Sequence, residues 1–325
     1  MPSIATSRPT AGIVFVLLGV LAISINDMLV KQLSGGYPLH QIVFLRSAIG
    51  LGFMLVLVQA EGGWRILRTR QPGLQVIRGL MVVVSNMSFF AALAVLPLAD
   101  TTALFFVAPL FITLLSIPVL GEKVGPLRIG AVVFGFLGVL IMQRPWQSSE
   151  ALQADRIVLL LPVLAALTYA GMQIMTRKLG TVSRASALAV YIQLTFIAVS
   201  GMFWLVAGDG RYAGTGNASV EFLLRAWVWP AAGDWKFLFG LGFLSAVVGY
   251  CLSQAYRLSD AATVAPFEYV GLPLAVLWGW LFWAELPDWE VWTGMAMIMA
   301  AGLFVFLREK QKARTVARDE IVARL

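Results

Sequence analysis

The stretch Leu258–Glu285, LSDAATVAPFEYVGLPLAVLWGWLFWAE, constrains this chain more than any other. Between Asp260 and Glu285 lie 24 residues with one charge among them, Glu268. A run of that length is suited to crossing a bilayer as a helix. A carboxylate inside such a run is costly and normally faces a bundle interior or a water-filled path. An earlier stretch, Leu98–Glu122, has the same frame: LADTTALFFVAPLFITLLSIPVLGE. Each opens with Asp after Leu and a small residue, runs through apolar residues with internal proline, and closes at Glu. The chain uses one design twice.

Ten such spans are expected, at 11–33, 39–60, 73–96, 99–120, 126–144, 157–176, 185–206, 236–256, 261–284 and 288–307. The predicted fold class is therefore an all-α polytopic membrane protein. Only 13% of the 325 residues are charged, against about 25% in a soluble domain. The net charge of +7 is a matter of placement. With the N-terminus in the cytoplasm, 17 of the 24 Lys and Arg residues fall in inner loops and the tail, 5 in outer loops, and Lys31 and Arg46 within spans. That is the positive-inside pattern. It puts both termini in the cytoplasm and argues against a nucleic-acid partner. The expected location is a bacterial-type inner membrane, with the chain acting as a monomer or homodimer.

Cys251 and His40 are the only residues of their types. An intrachain disulfide is excluded, a single Cys and a single His argue against a zinc site and a Ser/His/Asp triad, and no phosphate-binding G-x-x-x-x-G-K-[ST] loop occurs. The chain is expected to need no cofactor or metal and not to be an enzyme.

The halves align at two offsets. At 147 residues, Asn26 falls on Gln173, Lys31 on Lys178, Phe44 on Tyr191 and Arg46 on Gln193. At 160 residues, Leu98 falls on Leu258 and Asp100 on Asp260. Five spans per half is an odd number, so the second copy enters the membrane inverted. Residues 11–144 form the first repeat, 157–307 the second, and 308–325 a basic cytoplasmic tail. Inverted repeats are common in secondary transporters.

The block GEKVGPLRIGAVVFGFLGVLIMQRP (Gly121–Pro145), the two five-span halves and Arg46 of IVFLRSA resemble the EamA-type drug/metabolite transporters. The resemblance covers about residues 12–307. Within that superfamily, Ser24–Leu33, Val76–Asn86 and SDAATVAPFEYV…AELPD are similar to bacterial S-adenosylmethionine carriers and, more loosely, to riboflavin importers. The family's usual Trp-Gly in the first span is replaced here by Ile23–Asp27, which weakens transfer of amino-acid exporter behaviour. The resemblance implies ten helices around a central cavity. Uptake of an adenosyl- or flavin-like metabolite is the favoured reading. Export of amino acids or hydrophobic cations is the alternative, and a lipid scramblase or membrane sensor a further one.

Several intramembrane residues are candidates for substrate binding. Glu268 and Tyr269 lie near the middle of span nine, where Glu268 fits a substrate or coupling-proton site, the alternative being a structural ion pair or a protonated acid bonded to a neighbouring helix. Asp27 is a second coupling candidate. Spaced four residues from Lys31, it shares a helix face with it, and the two fit a neutralising pair. Asn26 and Gln173 are expected to face the cavity. Tyr169 pairs by spacing with Gln173, and Gln254 with Tyr250. Arg46 fits either an anion site or a helix tie. Asn86, Tyr191 and Phe106 complete the set. Asp100 and Asp260 are read as helix caps. Pro109, Pro266 and Pro273 remove backbone bonds and are expected to bend spans four and nine. Glu221–Pro230 fits either a surface-lying segment or a linker.

Overall fold

A computed structural model describes residues 9–69, 71–121, 125–147, 156–179, 185–214, 216–258 and 265–322. Asp260 and Lys123 lie outside the described residues. The described residues are helical, with no strand. The helices are α1 (Pro9–Leu33), α2 (Leu39–Glu61), α3 (Pro72–Leu93), α4 (Leu98–Phe105), α5 (Ala108–Leu120), α6 (Pro126–Met142), α7 (Arg156–Leu179), α8 (Ala185–Ala207), α9 (Ala218–Leu224), α10 (Trp235–Leu258), α11 (Gly271–Trp283) and α12 (Trp289–Val322). Short 3-10 turns stand at Trp64–Leu67 and Ala265–Val270.

Among the described residues, eight segments are long and apolar enough to cross a membrane, and Ile129–Met142 and Phe267–Trp283 are shorter apolar helices. The surface agrees. Val56, Leu205 and Ile157 are each about 70% exposed, while Arg46, Gln41 and Glu290 are buried. A helix that turns Leu and Val outward and polar groups inward is suited to lipid. Exposed Trp64, Trp146, Trp229, Trp289 and Trp292 lie at or beyond helix ends, where tryptophan favours the interface.

Span four is interrupted. Pro109 has no N–H, so the Phe105 carbonyl loses its helical donor. The backbone tightens there, with Phe106 N–H reaching both Thr102 O (3.1 Å) and Ala103 O (3.2 Å), and helix resumes at Ala108. Span nine has the matching feature. A 3-10 turn over Ala265–Val270 leads into α11, and Pro273 deprives the Tyr269 carbonyl of its donor.

Helix ends follow local chemistry. Pro72 and Pro126 occupy first helical positions, where a missing N–H costs nothing. Gly121 ends α5 at φ 71°. Ala284 ends α11 at φ 55°, with its N–H returning to Trp280 O at 3.1 Å, a left-handed cap built without glycine. The cap reading of Asp100 is corrected. Pro97 is the residue that starts α4, Asp100 lies in its first turn, and Asp100 Oδ1 makes no hydrogen bond among the described residues.

Packing joins distant elements. α1 lies on α10, α3 on α7, α2 on α8 and α10, α6 on α12, and α4 on α11. Small residues permit the α6–α12 approach: a Cβ on Gly138 would come within 2.9 Å of Gly294 O. Such close contacts replace the hydrophobic driving force that helices lack in lipid. The helix of span ten continues into the basic tail as far as Val322.

The loop Gly208–Asp234 is a strap docked on the end of α2. Gln41 grips it in both directions, donating to Val228 O (2.5 Å) and accepting from Val228 N (3.1 Å). His40 meets Leu223 O at 2.8 Å and stacks between Phe203 and Trp227. Tyr37 donates to Asp234 at 2.6 Å, and that bond to a carboxylate holds the Tyr37 pKa above its usual value. Arg225 donates to Gly35 O at 2.6 Å. Glu221–Pro230 is thus held in place and is not a loose linker.

Candidate functional site

The two helix breaks meet. The Phe106 ring lies 5.4 Å from the Tyr269 ring, centroid to centroid, and a Cβ on Gly271 would come within 3.2 Å of Phe106. Phe106 caps α4 and Tyr269 lies in the 3-10 turn before α11. The junction therefore faces one irregular stretch of backbone with another. Non-helical backbone at this depth is tolerated where protein or a polar cavity surrounds it.

Around the junction stand Glu268, Tyr169 and Gln173. The Glu268 carboxylate is in electrostatic contact with both the Tyr169 and Tyr269 hydroxyls. Gln173 donates to Tyr169 Oη at 2.8 Å, four residues away, as the spacing anticipates. Tyr269 is 4% exposed, and its hydroxyl makes no hydrogen bond among the described residues. It abuts the α12 backbone so closely that a Cβ on Gly302 would fall 1.7 Å from it.

A second polar group lies between α1, α2 and α3. Arg46 is buried at 5% exposure, donates to Asn86 Oδ1 at a long 3.4 Å, and lies within electrostatic reach of Asp27. Its guanidinium carbon stands 5.4 Å from the Phe196 ring and 5.9 Å from the Phe90 ring, within cation–π range. Asn26 donates to Asp27 at 3.3 Å. Arg46 Nε and Asn26 Oδ1 have no hydrogen-bond partner among the described residues. Buried polar atoms without partners are uncommon and call for an explanation.

Aromatic rings connect the two groups. Phe90 contacts Phe89 (5.3 Å), Phe89 contacts Phe105 (5.4 Å), and Phe105 contacts Tyr169 (5.4 Å). A series of rings thus runs from the guanidinium to the carboxylate.

The expected Asp27–Lys31 pair is corrected. Lys31 instead reaches Glu285 Oε2 at 2.7 Å and Leu96 O at 3.3 Å, and Asp27 stays with Asn26 and Arg46. Tyr191 is engaged elsewhere, its hydroxyl donating to Leu67 O in the 3-10 turn after α2. Gln254 is half-buried on α10, four residues beyond Tyr250. Sequence reasoning missed Ser24, which accepts from Trp278 Nε1 at 3.2 Å across α1 and α11. It missed Gly302 too, since a glycine in an apolar helix gives no sign of what stands against it. Among the described residues, no group of three or more His, Cys, Asp or Glu is arranged to hold a metal ion.

This geometry can be set beside known proteins. The EamA-like transporter family model matches residues 10–144. A riboflavin transporter of Rhizobium johnstonii is 30% identical over 97% of this chain and 97% of that protein. The chain belongs to the EamA-like transporter family. It is accordingly a multi-pass membrane transporter and not an enzyme. The Pseudomonas aeruginosa pseudopaline exporter CntI is 27% identical, covering 90% of this chain and 94% of that protein. The Rickettsia prowazekii S-adenosylmethionine uptake transporter is 25% identical, covering 92% and 94% respectively. One solved crystal structure matches with TM-score 0.63 at 17% identity, covering 93% of this chain and 98% of that one, a likeness of fold.

Proposed function

We propose that this transporter takes up a small organic metabolite, a flavin-like or S-adenosylmethionine-like compound, by alternating access. The path runs between two inverted five-helix repeats, 11–144 and 157–307. The packing supports the repeat. Exchanging the halves turns the α1–α10 contact into α7–α3, while α2–α8 and α6–α12 map onto themselves. The charge bias of the loops supports both termini in the cytoplasm, which places the strap on the outer face.

The observation that carries the substrate class is the series of rings between Arg46 and Glu268. A flat, polar-edged ring system would insert among these rings, which pack edge to face with one another in this structure, and meet hydrogen-bonding groups at both ends. Arg46, Asn26, Asn86 and Asp27 bind one end. Glu268, Tyr169, Tyr269 and Gln173 bind the other, and Glu268 with Asp27 carries the coupling proton. The name of the Rhizobium relative supports a flavin-like compound, and that of the Rickettsia relative supports uptake of an S-adenosylmethionine-like one.

Export is the second reading, favoured by the Pseudomonas relative. A scramblase would use a polar groove open to lipid. The crevice between α3, α7, α8 and α9, about 560 Å3, is apolar apart from Ser88, Asn217 and Ser219, which does not favour that role. The test is uptake by purified protein in liposomes, with riboflavin, S-adenosylmethionine and a set of amino acids each offered alone. Saturable uptake of one of the first two supports the proposal. Flux confined to amino acids would sink the substrate class and keep the carrier.

A further inference from the structure

The strap end of the bundle carries a set of charges that the substrate site does not use. Lys31, at the end of α1, is 10% exposed in its side chain and 2.7 Å from Glu285 Oε2. It also donates to Leu96 O, and its ammonium stands 4.8 Å above the Trp283 ring. Arg144, just past α6, is 2.8 Å from Asp288 Oδ2 and 3.7 Å from Glu290 Oε2. The Glu290 side chain is 5% exposed and also accepts from Gln147 at 3.5 Å. Asp100 lies within electrostatic reach of Lys31, Arg144, Glu285 and Asp288.

Every one of these ion pairs joins opposite halves. The cations belong to the first repeat, and their partners Glu285, Asp288 and Glu290 to the second. The contacts gather the ends of spans one, three, five, nine and ten over the region where α4 meets α11. We propose that Lys31–Glu285 and Arg144–Asp288/Glu290 are the outer latch of the transport path, and that the path opens outward only when both part. The proposal rests on the transporter reading and on the orientation given above.

The physical argument is one of shielding. An exposed ion pair contributes little. The Lys31 ammonium and the Glu290 carboxylate are the shielded members, 10% and 5% exposed, whereas Asp288 is 64% exposed and adds little. A pair with a shielded member cannot be parted without leaving that charge in poor solvent. Such a pair biases a two-state element strongly toward the arrangement that keeps it. The ring of Trp283 and the Leu96 carbonyl complete the seat of the Lys31 ammonium, so that seat exists only when the halves are drawn together at this end. A substrate that opens the outer face must supply enough differential binding to offset the loss.

The test uses accessibility, which needs no transport. Cys251 is the sole cysteine and is buried. Replacing it by Ala and placing a reporter by Ser24→Cys puts one thiol two helical turns below Lys31. A membrane-impermeant maleimide is then applied from the outer face of intact cells. Native charges predict slow labelling, and Lys31→Gln combined with Arg144→Gln predicts labelling about tenfold faster or more. The exchange Lys31→Glu with Glu285→Lys, made in the Arg144→Gln protein, predicts a return toward the slow rate. Unchanged labelling in the double Gln variant would overturn the latch, as would an exchange that labels as fast as the double Gln variant. Flux with unchanged labelling removes the latch and leaves the carrier. Faster labelling in a protein without flux leaves the latch and removes the substrate reading.

Discussion

In the first half the fourth span breaks at Phe106–Val107, and the side chains there are apolar, with the Phe105 and Phe106 rings beside the break. In the second half the matching turn, Ala265–Val270, carries Glu268 and Tyr269. Both spans use a proline to release one carbonyl, that of Phe105 by Pro109 and that of Tyr269 by Pro273. The backbone plan is shared and the chemistry is not. One break supplies a ring face, and the other a carboxylate and a phenol. At the strap end the division recurs, with the cations Lys31 and Arg144 on one half and the acids Glu285, Asp288 and Glu290 on the other. The two breaks share a backbone frame, and complementary groups face each other across it.

The largest effect should come from filling the space beside the second break. Gly302→Leu drives a side chain into the Tyr269 hydroxyl and should cost about 3 kcal/mol by overpacking. The corresponding closing helix of the first half offers a control. Gly130 has nothing within 4 Å of a built Cβ, so Gly130→Leu should leave stability unchanged. Thermal unfolding in detergent measures both, and equal losses would break the asymmetry between the halves.

Gln41→Ala tests the strap, which is held to α2 through both amide atoms of Gln41, whereas the short linker after α2 meets α8 through the Tyr191 hydroxyl on Leu67 O. The substitution removes both bonds to Val228 and should cost about 2 kcal/mol. Protease cleavage within Gly208–Asp234 should quicken. An unchanged cleavage rate would mean that His40, Tyr37 and Arg225 hold the strap alone.

A smaller pair of changes compares the ends of α5 and α11. Gly121 and Ala284 both adopt left-handed backbone, where a Cβ is unfavourable by about 1 kcal/mol. Gly121→Ala should therefore destabilise by that amount and Ala284→Gly stabilise by about as much. Melting temperatures moving in opposite directions would support the matched geometry.

Much of this frame is legible in the sequence. The apolar runs mark the helices, and Pro109, Pro266 and Pro273 mark where spans four and nine depart from regular helix, because a missing N–H acts locally. Tyr169 with Gln173 was readable for the same reason. Partners far apart in the chain were not. The spacing of Asp27 and Lys31 suggests a pair on one helix, yet Lys31 bonds Glu285, 254 residues away, because the ends of α1 and α11 come together. Asp100 looks like a cap by residue type, but Pro97 starts the helix and the carboxylate turns to the charges at that end. The grip of Gln41 on Val228 uses backbone atoms, which have no signature in residue identity.

The most direct test of the central claim is the behaviour of Glu268 in flux. Native protein and Glu268→Gln would be placed in liposomes and offered riboflavin with and without a pH gradient. If the second break carries the transport chemistry, native protein accumulates the compound in response to the gradient. In Glu268→Gln the response to the gradient is lost and uptake falls about tenfold or more. Native rates and a native gradient response in Glu268→Gln would contradict the account and leave the carboxylate a structural group.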